Sequence, residues 1–391
     1  MKRLRQITLS MAVVAVLMAG CTPSKTSDEE LIQEDTEREV ETTIIPSIQL
    51  SDSYYKTLVP YKESAARGLV VSNMNTKYNV KEVENGLMRI SQNEFSTSKY
   101  FFQEGQYLDE TTVKYWLARE NQTEDKGPEY KGLNPSSLNK NGQELDPVKK
   151  AETAPVYLAH LVEQNYLMKT DENKVALGGI SIGLALNSVY YYQKEQYGEF
   201  YEQEIDDVKL EEEGKKIAAE VVNRLRQRKG LEEVPIVIAL FKQEPKNSIL
   251  PGTYFAYSVA SKGSSNIEDW KSINENYVTF PMSSPEDIYR EMNTKFENFK
   301  QDVDKYFSNY TSVIGTGFYQ NNMISSLEIE IPVQFYGTSE LVGFTQYLTG
   351  IMLQQLPKDL LITVSITSPN GAEALIKKQP NEDEPFVHIY E

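Results

Sequence analysis

Residues 175–192 read VALGGISIGLALNSVYYY, and the fold prediction starts from this stretch. Within it Ile180, Ile182, Leu184 and Leu186 alternate with small or polar residues. A period of two residues is typical of a β-strand, because successive side chains point to opposite faces of a sheet. The stretch therefore predicts a long central strand.

The sequence after this strand predicts a helix and then two more strands. Residues 207–229 carry an apolar stripe at helical spacing, and Gly230 ends the helix. Residues 234–242 and 254–259 are rich in apolar and β-branched side chains, which favours strands. The same β-α-β-β order is predicted again for residues 327–335, 341–356, 360–367 and 374–378.

This repetition predicts an α+β fold of two related mixed sheet and helix halves, residues 151–283 and 311–391. A long helix over 285–310, with Ser284 as N-cap and Pro285 in its first turn, is predicted to join them. The two halves share no convincing residue identity, so their relation is a hypothesis about topology. A different strand order in the two halves would contradict it.

Two helices and a long loop are predicted upstream. Residues 109–119 are predicted to form a helix, with Asp109 or Thr111 as its N-cap. Residues 155–168 carry apolar side chains three and four positions apart, which favours a helix with one buried side. Residues 121–150 hold few apolar side chains and several Gly and Pro turn signals, which predicts a long loop.

The first twenty residues have the pattern of a secretory leader. Three basic residues precede an apolar stretch over 7–18, and Ala19 and Gly20 precede Cys21, the only cysteine. The apolar stretch is shorter than the roughly 20 residues that span a bilayer. A cysteine directly after such a leader is typical of a bacterial lipoprotein signal, with cleavage between Gly20 and Cys21 and lipid on the Cys21 thiol. An ordinary secretory leader with an incidental cysteine is the alternative.

Lipidation would decide where the protein resides. Two or more acyl chains anchor a protein stably, whereas a single chain binds a membrane only marginally. The expected location is the extracellular face of the cell membrane. The expected partners are the membrane itself, through the lipid anchor, and the lipoprotein-processing enzymes.

The charge of the chain excludes one class of partner. The sequence has 40 basic and 57 acidic residues, and loss of the three basic leader residues gives a net charge of −20. A body this acidic is unsuited to nucleic acid, which is bound by basic patches. It also disfavours electrostatic docking on anionic lipid headgroups. The favoured interpretation is that the net negative charge keeps a surface protein soluble.

Composition also divides the mature chain. Residues 21–50 are acidic and contain few large apolar side chains, which predicts a lipid-anchored disordered tether. Residues 51–391 form the predicted α+β ectodomain and are long enough for one or two packed domains. Because Cys21 is the only cysteine, no disulfide can form within the chain.

One motif suggests an enzyme. Gly179-Ile180-Ser181-Ile182-Gly183 matches the G-x-S-x-G of a nucleophile elbow, with Asp359 and then His388 later in the chain. An elbow needs a sharp strand-to-helix turn, whereas the sequence after Gly183 continues as strand. The favoured interpretation is therefore a structural strand, with a Ser181 hydrolase as the weaker alternative.

No sequence signal supports a metal or a cofactor. His160 and His388 are the only histidines, and no H-E-x-x-H, C-x-x-C or calcium-loop pattern occurs. His160 lies beside Leu158 and Leu161 and is interpreted as a histidine at the edge of the core. No glycine-rich phosphate-binding motif is present. The prediction is no catalytic residue, no metal and no cofactor.

Tyrosine is abundant, with 25 residues that include the run Tyr190, Tyr191 and Tyr192. Tyrosine combines flat apolar area with a polar tip and suits contact with peptide or sugar. These three residues are therefore candidate ligand contacts. The alternative is that alternate tyrosines of a strand face the core and the others face water.

Four strings occur in order along nearly the whole mature chain: residues 61–68 (YKESAARG), 132–135 (GLNP), 182–192 (IGLALNSVYYY) and 387–390 (VHIY). Together they resemble the CamS family, lipoproteins of Gram-positive Firmicutes known as sex pheromone precursors. The resemblance implies an ectodomain with no assigned reaction. It also implies that the end of the leader can be released as a short hydrophobic peptide that induces conjugative plasmid transfer.

Carried onto this chain, the candidate pheromone is the peptide Val14, Ala15, Val16, Leu17, Met18, Ala19 and Gly20, directly before Cys21. Its apolar, uncharged character fits a peptide that crosses membranes, although every leader core has that character. The overall prediction is a membrane-anchored extracytoplasmic lipoprotein of the CamS type, not an enzyme. The alternative is a cell-envelope binding module for peptide, glycan or a partner protein.

Overall fold

The computed structural model describes residues 29–33, 41–48, 50–171, 174–306, 312–335 and 337–390. They form two units, each built around one large β-sheet. The N-terminal unit contains β1 (Glu29–Gln33), β2 (Glu41–Ile45), β3 (Lys56–Thr57), α1 (Arg67–Asn73), α2 (Lys77–Ser91), β4 (Tyr100–Glu104), α3 (Glu110–Leu117), α4 (Pro147–Thr153), β5 (Leu158–Asp171), β6 (Lys174–Asn187), β7 (Val189–Gln193), β8 (Phe200–Glu204), α5 (Asp207–Arg226), β9 (Ile236–Gln243), β10 (Thr253–Ala260) and β11 (Lys271–Ser272). The C-terminal unit contains β12 (Glu275–Phe280), α6 (Asp287–Tyr306), β13 (Ile314–Gln320), β14 (Met323–Pro332), α7 (Thr338–Gln355), β15 (Leu361–Ser368), β16 (Gly371–Lys378) and β17 (Phe386–Ile389).

Strand β6 is the centre of the N-terminal sheet, whose strand order is β11-β10-β9-β6-β5-β4-β3. The large residues from Ile180 to Leu186 share a core with α5. The small residues between them point to the opposite face, where they contact α2 and the buried rings of Phe95 and Tyr254. The predicted central strand is therefore confirmed, and both of its faces are covered.

The C-terminal sheet has the order β12-β13-β14-β15-β16-β17. Along β14, Leu327 and Ile329 are buried while Glu328 and Glu330 are exposed. The buried face forms one core with α6 and α7. This sheet therefore has one packed face and one solvated face, as the alternation in its sequence predicts.

The two sheets repeat one topology. In the N-terminal unit β5, β6, β9 and β10 pair antiparallel, parallel and antiparallel in turn. In the C-terminal unit β13, β14, β15 and β16 pair in the same sequence of directions. A helix, α5 or α7, connects the parallel pair in each. The predicted β-α-β-β repetition is confirmed as a repeat of strand order.

The long helix is present, but its predicted role as the connection between the two halves is wrong. Helix α6 connects β12 to β13 and buries Phe296 and Phe299 in the core of the C-terminal sheet. The two sheets are joined instead by residues 273–274, between β11 and β12. The halves therefore do not divide at 151–283 and 311–391, because the apolar stripe of α6 needs the face of the C-terminal sheet to be buried.

The helix predicted over 155–168 is also wrong, because these residues form most of strand β5. β5 is paired with β4 on one side and with β6 on the other. Both of its faces are covered, so Leu158, Leu161 and Tyr166 are all buried. A strand buried on both faces loses its period of two, and its apolar spacing then resembles that of a helix.

Part of the predicted tether over 21–50 is ordered. Strands β1 and β2 pair antiparallel, and Ile32 and Gln33 pair with the start of β6. The prediction of disorder is wrong for residues 29–33 and 41–45, because a distant strand supplies the backbone partners that local composition does not reveal. Residues 21–28, 34–40 and 49 lie outside the described residues.

A charge cluster of one partly exposed arginine and two buried carboxylates links the two units. Arg89 of α2 donates from Nε to Glu275 Oε1 at 3.0 Å and from Nη2 to Glu275 Oε2 at 2.7 Å. The same Nη2 lies 2.6 Å from Oε1 of Glu82. The guanidinium also stands 4.7 Å from the ring centre of Phe318 on β13. Arg89 therefore pairs a carboxylate of its own unit with one of the other unit.

Across the described ranges, no helix combines the length and the hydrophobicity that crossing a bilayer requires.

Candidate functional site

The sequence motif around Ser181 is structural. Ser181 is fully buried in β6, opposite Gln164 of β5 and Val237 of β9. Its hydroxyl lies 2.7 Å from that of Ser91 on α2. A nucleophile needs access to substrate and a neighbouring base, whereas His388 lies in β17 of the other sheet. This placement contradicts the Ser181 hydrolase.

The two glycines of the motif make room for aromatic rings. A Cβ atom on Gly179 would lie 2.3 Å from Cε1 of Phe95. A Cβ atom on Gly183 would lie 2.3 Å from the hydroxyl of Tyr254. The G-x-S-x-G spacing therefore follows from the close approach of the helix-side rings to the strand backbone.

A cavity in the N-terminal unit lies between helices α1 and α2 and strands β4 and β5. It encloses about 160 Å³. Its apolar lining consists mainly of Val70, Met88, Phe102, Leu108, Leu161 and Val162. Its polar lining includes Arg67, Glu84, Asn85, Glu104, His160 and Glu163. The lining therefore combines apolar side chains with an equal number of polar ones, and a concave site of mixed lining can orient a small molecule as well as bury it.

The mouth of the cavity is built by the string at residues 61–68, the first of the four that the sequence analysis singled out. Tyr61 donates to Glu104 Oε1 at 2.5 Å, and Arg67 Nη2 donates to the same oxygen at 2.8 Å. The backbone N–H of Ser64 donates to Glu104 Oε2 at 2.8 Å. Partial burial and the Glu104 hydrogen bond raise the pKa of Tyr61 to about 12, which keeps its hydroxyl protonated as the donor.

Glu163 organises one wall of the cavity. Its carboxylate accepts from the backbone N–H groups of Gln106, Tyr107 and Leu108 at 3.1, 3.1 and 2.8 Å. Burial raises the pKa of Glu163, and these three hydrogen bonds oppose that rise. Glu163 therefore holds the turn after β4 in place and has little hydrogen-bonding capacity left for a ligand.

His160 lines the cavity and is only 2% exposed, which agrees with the prediction of a histidine at the edge of the core. Its Nδ1 lies 3.4 Å from the side-chain nitrogen of Asn73. The donor and acceptor roles in this contact depend on which ring nitrogen carries the proton. Burial lowers the pKa of His160 to about 4, so the ring is neutral at physiological pH.

This burial predicts an acid-sensitive stability. In the unfolded chain His160 becomes protonated below about pH 6.5, whereas in the folded protein it stays neutral until about pH 4. Between these two pH values the unfolded state binds more protons, so the free energy of unfolding falls as the pH falls. We expect His160→Phe to reduce that loss by up to about 1.4 kcal/mol per pH unit. Urea titrations between pH 7 and 4 measure it. The exposed His388→Phe is the control, and equal slopes for all three proteins would contradict the prediction.

Glu84 and Asn85 lie at the mouth on helix α2. Neither side chain has a hydrogen bond or ion pair within the part of the chain that the structure describes. Burial, and then the charge of Glu104, raise the pKa of Glu84, while Arg67 opposes the rise. The mouth therefore presents a carboxylate whose charge is not fully compensated.

The tyrosine candidates lie away from this cavity. Tyr190, Tyr191 and Tyr192 form β7, which pairs with β8 in a separate two-stranded sheet. Tyr190 accepts from Arg119 Nη2 at 3.2 Å, and Tyr191 accepts from the backbone N–H of Lys246 at 3.0 Å. The hydroxyls of Tyr190 and Tyr191 thus bind the hairpin to the rest of the unit, and the partly exposed rings of all three tyrosines border two shallow depressions.

Two other strings that carry the family resemblance, residues 132–135 and 387–390, make structural contacts. Asn134 accepts from the backbone N–H of Leu158 at 2.8 Å and donates to the carbonyl oxygens of Leu117 and Leu158. It therefore ties the loop after α3 to the start of β5. Residues 387–390 lie in and just after the edge strand β17, where the ring of His388 contacts Phe386 and Tyr390.

The remaining predicted site residues, Cys21 and the peptide from Val14 to Gly20, lie outside the described residues. Among the residues that are described, no group of three or more His, Cys, Asp or Glu side chains could hold a metal ion.

Helix α2, which carries Glu84 and Asn85, is absent from the sequence predictions. A signal for it exists, because Val80, Val83, Leu87 and Ile90 have helical spacing and Thr76 caps the helix through the N–H of Asn79. No local sequence pattern predicts the cavity itself, because it forms only when α2 packs against β4 and β5.

The fold and the cavity define a class: α+β proteins in which one sheet topology occurs twice and the first unit holds a ligand-sized pocket. Residues 61–384 match the family model described as CamS sex pheromone cAM373 precursor. The chain therefore belongs to the CamS family. No protein of curated function matches it.

Two solved structures are similar to this chain. The sex pheromone precursor of Lactobacillus salivarius subsp. salivarius UCC118 is 33% identical, with 88% of this chain and 98% of that chain covered and a TM-score of 0.79. The C-terminal domain of the sex pheromone staph-cAM373 precursor of Staphylococcus aureus is 32% identical, with 82% and 98% covered and a TM-score of 0.70. Both share the fold described above.

Proposed function

We propose that this chain is a lipoprotein on the outer face of the cell membrane, cleaved between Gly20 and Cys21 and lipidated on Cys21. The observation that carries the proposal is the lone cysteine directly after a basic, then apolar, then small-residue leader. The first described strand begins at Glu29. The seven intervening residues reach at most about 25 Å, so the N-terminal unit would lie close to the membrane.

The same cleavage would release the end of the leader. We infer that Val14–Gly20 is trimmed from it and leaves the cell as a hydrophobic peptide. Membership of a family described as sex pheromone precursors supports this proposal. The peptide carries no charged side chain, which favours passage through a membrane or a peptide permease.

Replacing Cys21 with serine tests both steps. We expect the wild-type protein to incorporate an alkyne-labelled fatty acid and its culture medium to contain a peptide ending at Gly20. In Cys21→Ser both signals should be lost, because lipidation of the thiol precedes cleavage in this pathway. In-gel fluorescence and mass spectrometry of the medium measure the two signals.

The two halves of the proposal fail separately. An unlabelled wild-type protein would contradict the lipoprotein. A labelled protein without the peptide in the medium would contradict only the pheromone precursor. Ser24→Ala, which leaves the cysteine and leader intact, is the matched control and should behave as wild type.

We further propose that the part of the chain after Cys21 acts by binding a small component of the cell envelope. The cavity between α1, α2, β4 and β5 supports this second function. His160 is the only histidine on its wall and His388 is exposed elsewhere, so the ring signal of His160 reports on the cavity alone. A soluble envelope fraction should shift this NMR signal and leave that of His388 unchanged. An unchanged His160 signal would contradict the binding function.

A further inference from the structure

We propose that this cavity binds an ammonium group attached to an apolar side chain, as at the amino terminus of a peptide with an apolar first residue. The inference rests on the proposed binding function and specifies its ligand class.

The interior sets the size and polarity of the bound side chain. Val70, Met88, Phe102 and Val162 line a space of about 160 Å³. A cavity of about 150 Å³ with apolar walls accommodates a benzene molecule. The space therefore suits one apolar side chain of about the size of leucine, and the rest of the ligand would remain outside the mouth.

The mouth sets the charge. Four charged side chains line the cavity: Arg67, Glu84, Glu104 and Glu163. Arg67 donates to Glu104 at 2.8 Å, so these two charges compensate each other. Glu163 already accepts from three backbone N–H groups, whereas the exposed carboxylate of Glu84 has no hydrogen bond or ion pair among the described residues. Glu84 is therefore the lining carboxylate that remains available to a cation. An ammonium group would supply the missing countercharge and three donors.

The helix places this charge beside the apolar lining. Glu84 and Met88 are four residues apart on α2 and therefore share one face. A ligand that puts its side chain against Met88 thus has its charged end near Glu84. An α-ammonium group is separated from its own side chain by a single carbon atom, which fits this spacing.

A second, independent feature also points to a ligand. His160 is 2% exposed and lines the cavity, and Asn73 engages only its Nδ1. The Nε2 atom has no hydrogen-bond partner in the described part of the chain. This ring nitrogen is therefore available to a polar group of a ligand or to a bound water molecule.

The two histidines allow a direct test on the full chain, purified from its host in mild detergent after growth on isotope-labelled histidine. The probe is the peptide Leu-Ala-Gly amide, and its N-acetylated form is the matched control. We expect the free amine to shift the His160 signal saturably and to leave His388 unchanged. Acetylation removes the positive charge and should weaken binding at least tenfold.

The variant Glu84→Gln should weaken binding of the free amine about fivefold or more, because it removes the countercharge while keeping the shape. Glu212→Gln, an exposed carboxylate on α5 far along the sequence, is the control and should bind as wild type. The leader peptide Val-Ala-Val-Leu-Met-Ala-Gly, tested alongside, distinguishes the chain's own peptide from apolar amino termini in general.

Three outcomes would overturn the inference. Equal binding of the acetylated peptide, or unchanged binding by Glu84→Gln, would remove the ammonium from the ligand class. A lack of any His160 shift with all peptides would exclude peptide amino termini. If the envelope fraction still shifts His160, the binding function stands and only the ligand class fails.

Discussion

Arg89→Met is expected to lower the free energy of unfolding by about 3–5 kcal/mol, because it leaves two buried carboxylates without their shared cation. The side chains of Glu82 and Glu275 are only 8% and 6% exposed. Methionine preserves most of the packing of the arginine stem, so the loss measures the charge. Urea denaturation at pH 7 determines it.

The control for Arg89→Met is Arg290→Met. Arg290 pairs with Asp287 at the surface, where the two side chains are 66% and 87% exposed. Exposed pairs of this kind contribute at most about 1 kcal/mol. Similar losses for the two variants would contradict the view that Arg89 joins the units through buried charge.

The Arg89→Met variant should also respond to pH in a defined direction. Burial raises the pKa of Glu82 even in the presence of Arg89. Without Arg89, protonation of Glu82 stabilises the folded state more than it does in the wild type. The loss in free energy of unfolding caused by the substitution should therefore shrink as the pH falls from 7 to 5. A deficit that grows on acidification would contradict this account.

Gly179→Ala is expected to lower the free energy of unfolding by about 3 kcal/mol, at the upper end of the usual cost of overpacking. The new methyl group would lie 2.3 Å from Cε1 of Phe95. That ring cannot withdraw easily, because it is 1% exposed and stacks on Tyr166 at a centroid distance of 4.6 Å. Thermal and urea denaturation measure the loss.

Two further variants make this test specific. Gly350→Ala on α7 adds the same methyl group where no atom lies within 4 Å, and should leave stability unchanged or slightly higher. Phe95→Leu shortens the opposing side chain and should recover part of the loss in a double-mutant cycle. Additive effects of Gly179→Ala and Phe95→Leu would show that the ring is not the obstacle.

This prediction bears on the meaning of the G-x-S-x-G motif. Its glycines satisfy a packing requirement of α2 and β10 against β6, and Ser181 bonds to Ser91 in the dry interior. A motif of three residues specifies chemistry only in the structural context that chemistry needs. Here the context is a central strand, where neither substrate nor base can approach Ser181.

Much of the architecture follows from local pattern. The alternation in β6, the amphipathic stripe of α5 and the cap at Asp109 predict their elements closely, because each depends on neighbours in sequence. The order of those elements also predicts the repeated β-α-β-β topology, since a helix between two strands favours a parallel pair.

Other elements depend on partners far away in the chain. β5 has apolar side chains on both faces because α2 and α5 cover the sheet from opposite sides. β1 is ordered because β6 extends beyond β9 and offers it a free edge. Neither fact is encoded in a short window, and for this reason the sequence predicted a helix at 155–168 and missed the strands at 29–33 and 41–45.

The sequence by itself determined the α+β class and the repeated order of elements, because hydrophobic period is a property of adjacent residues. Only the tertiary structure decided that α6 belongs to the second sheet, that Arg89 joins the two units and that Glu84 and His160 line one cavity. These side chains lie 76 residues apart in sequence, and their proximity results from helix and strand packing that no local pattern specifies.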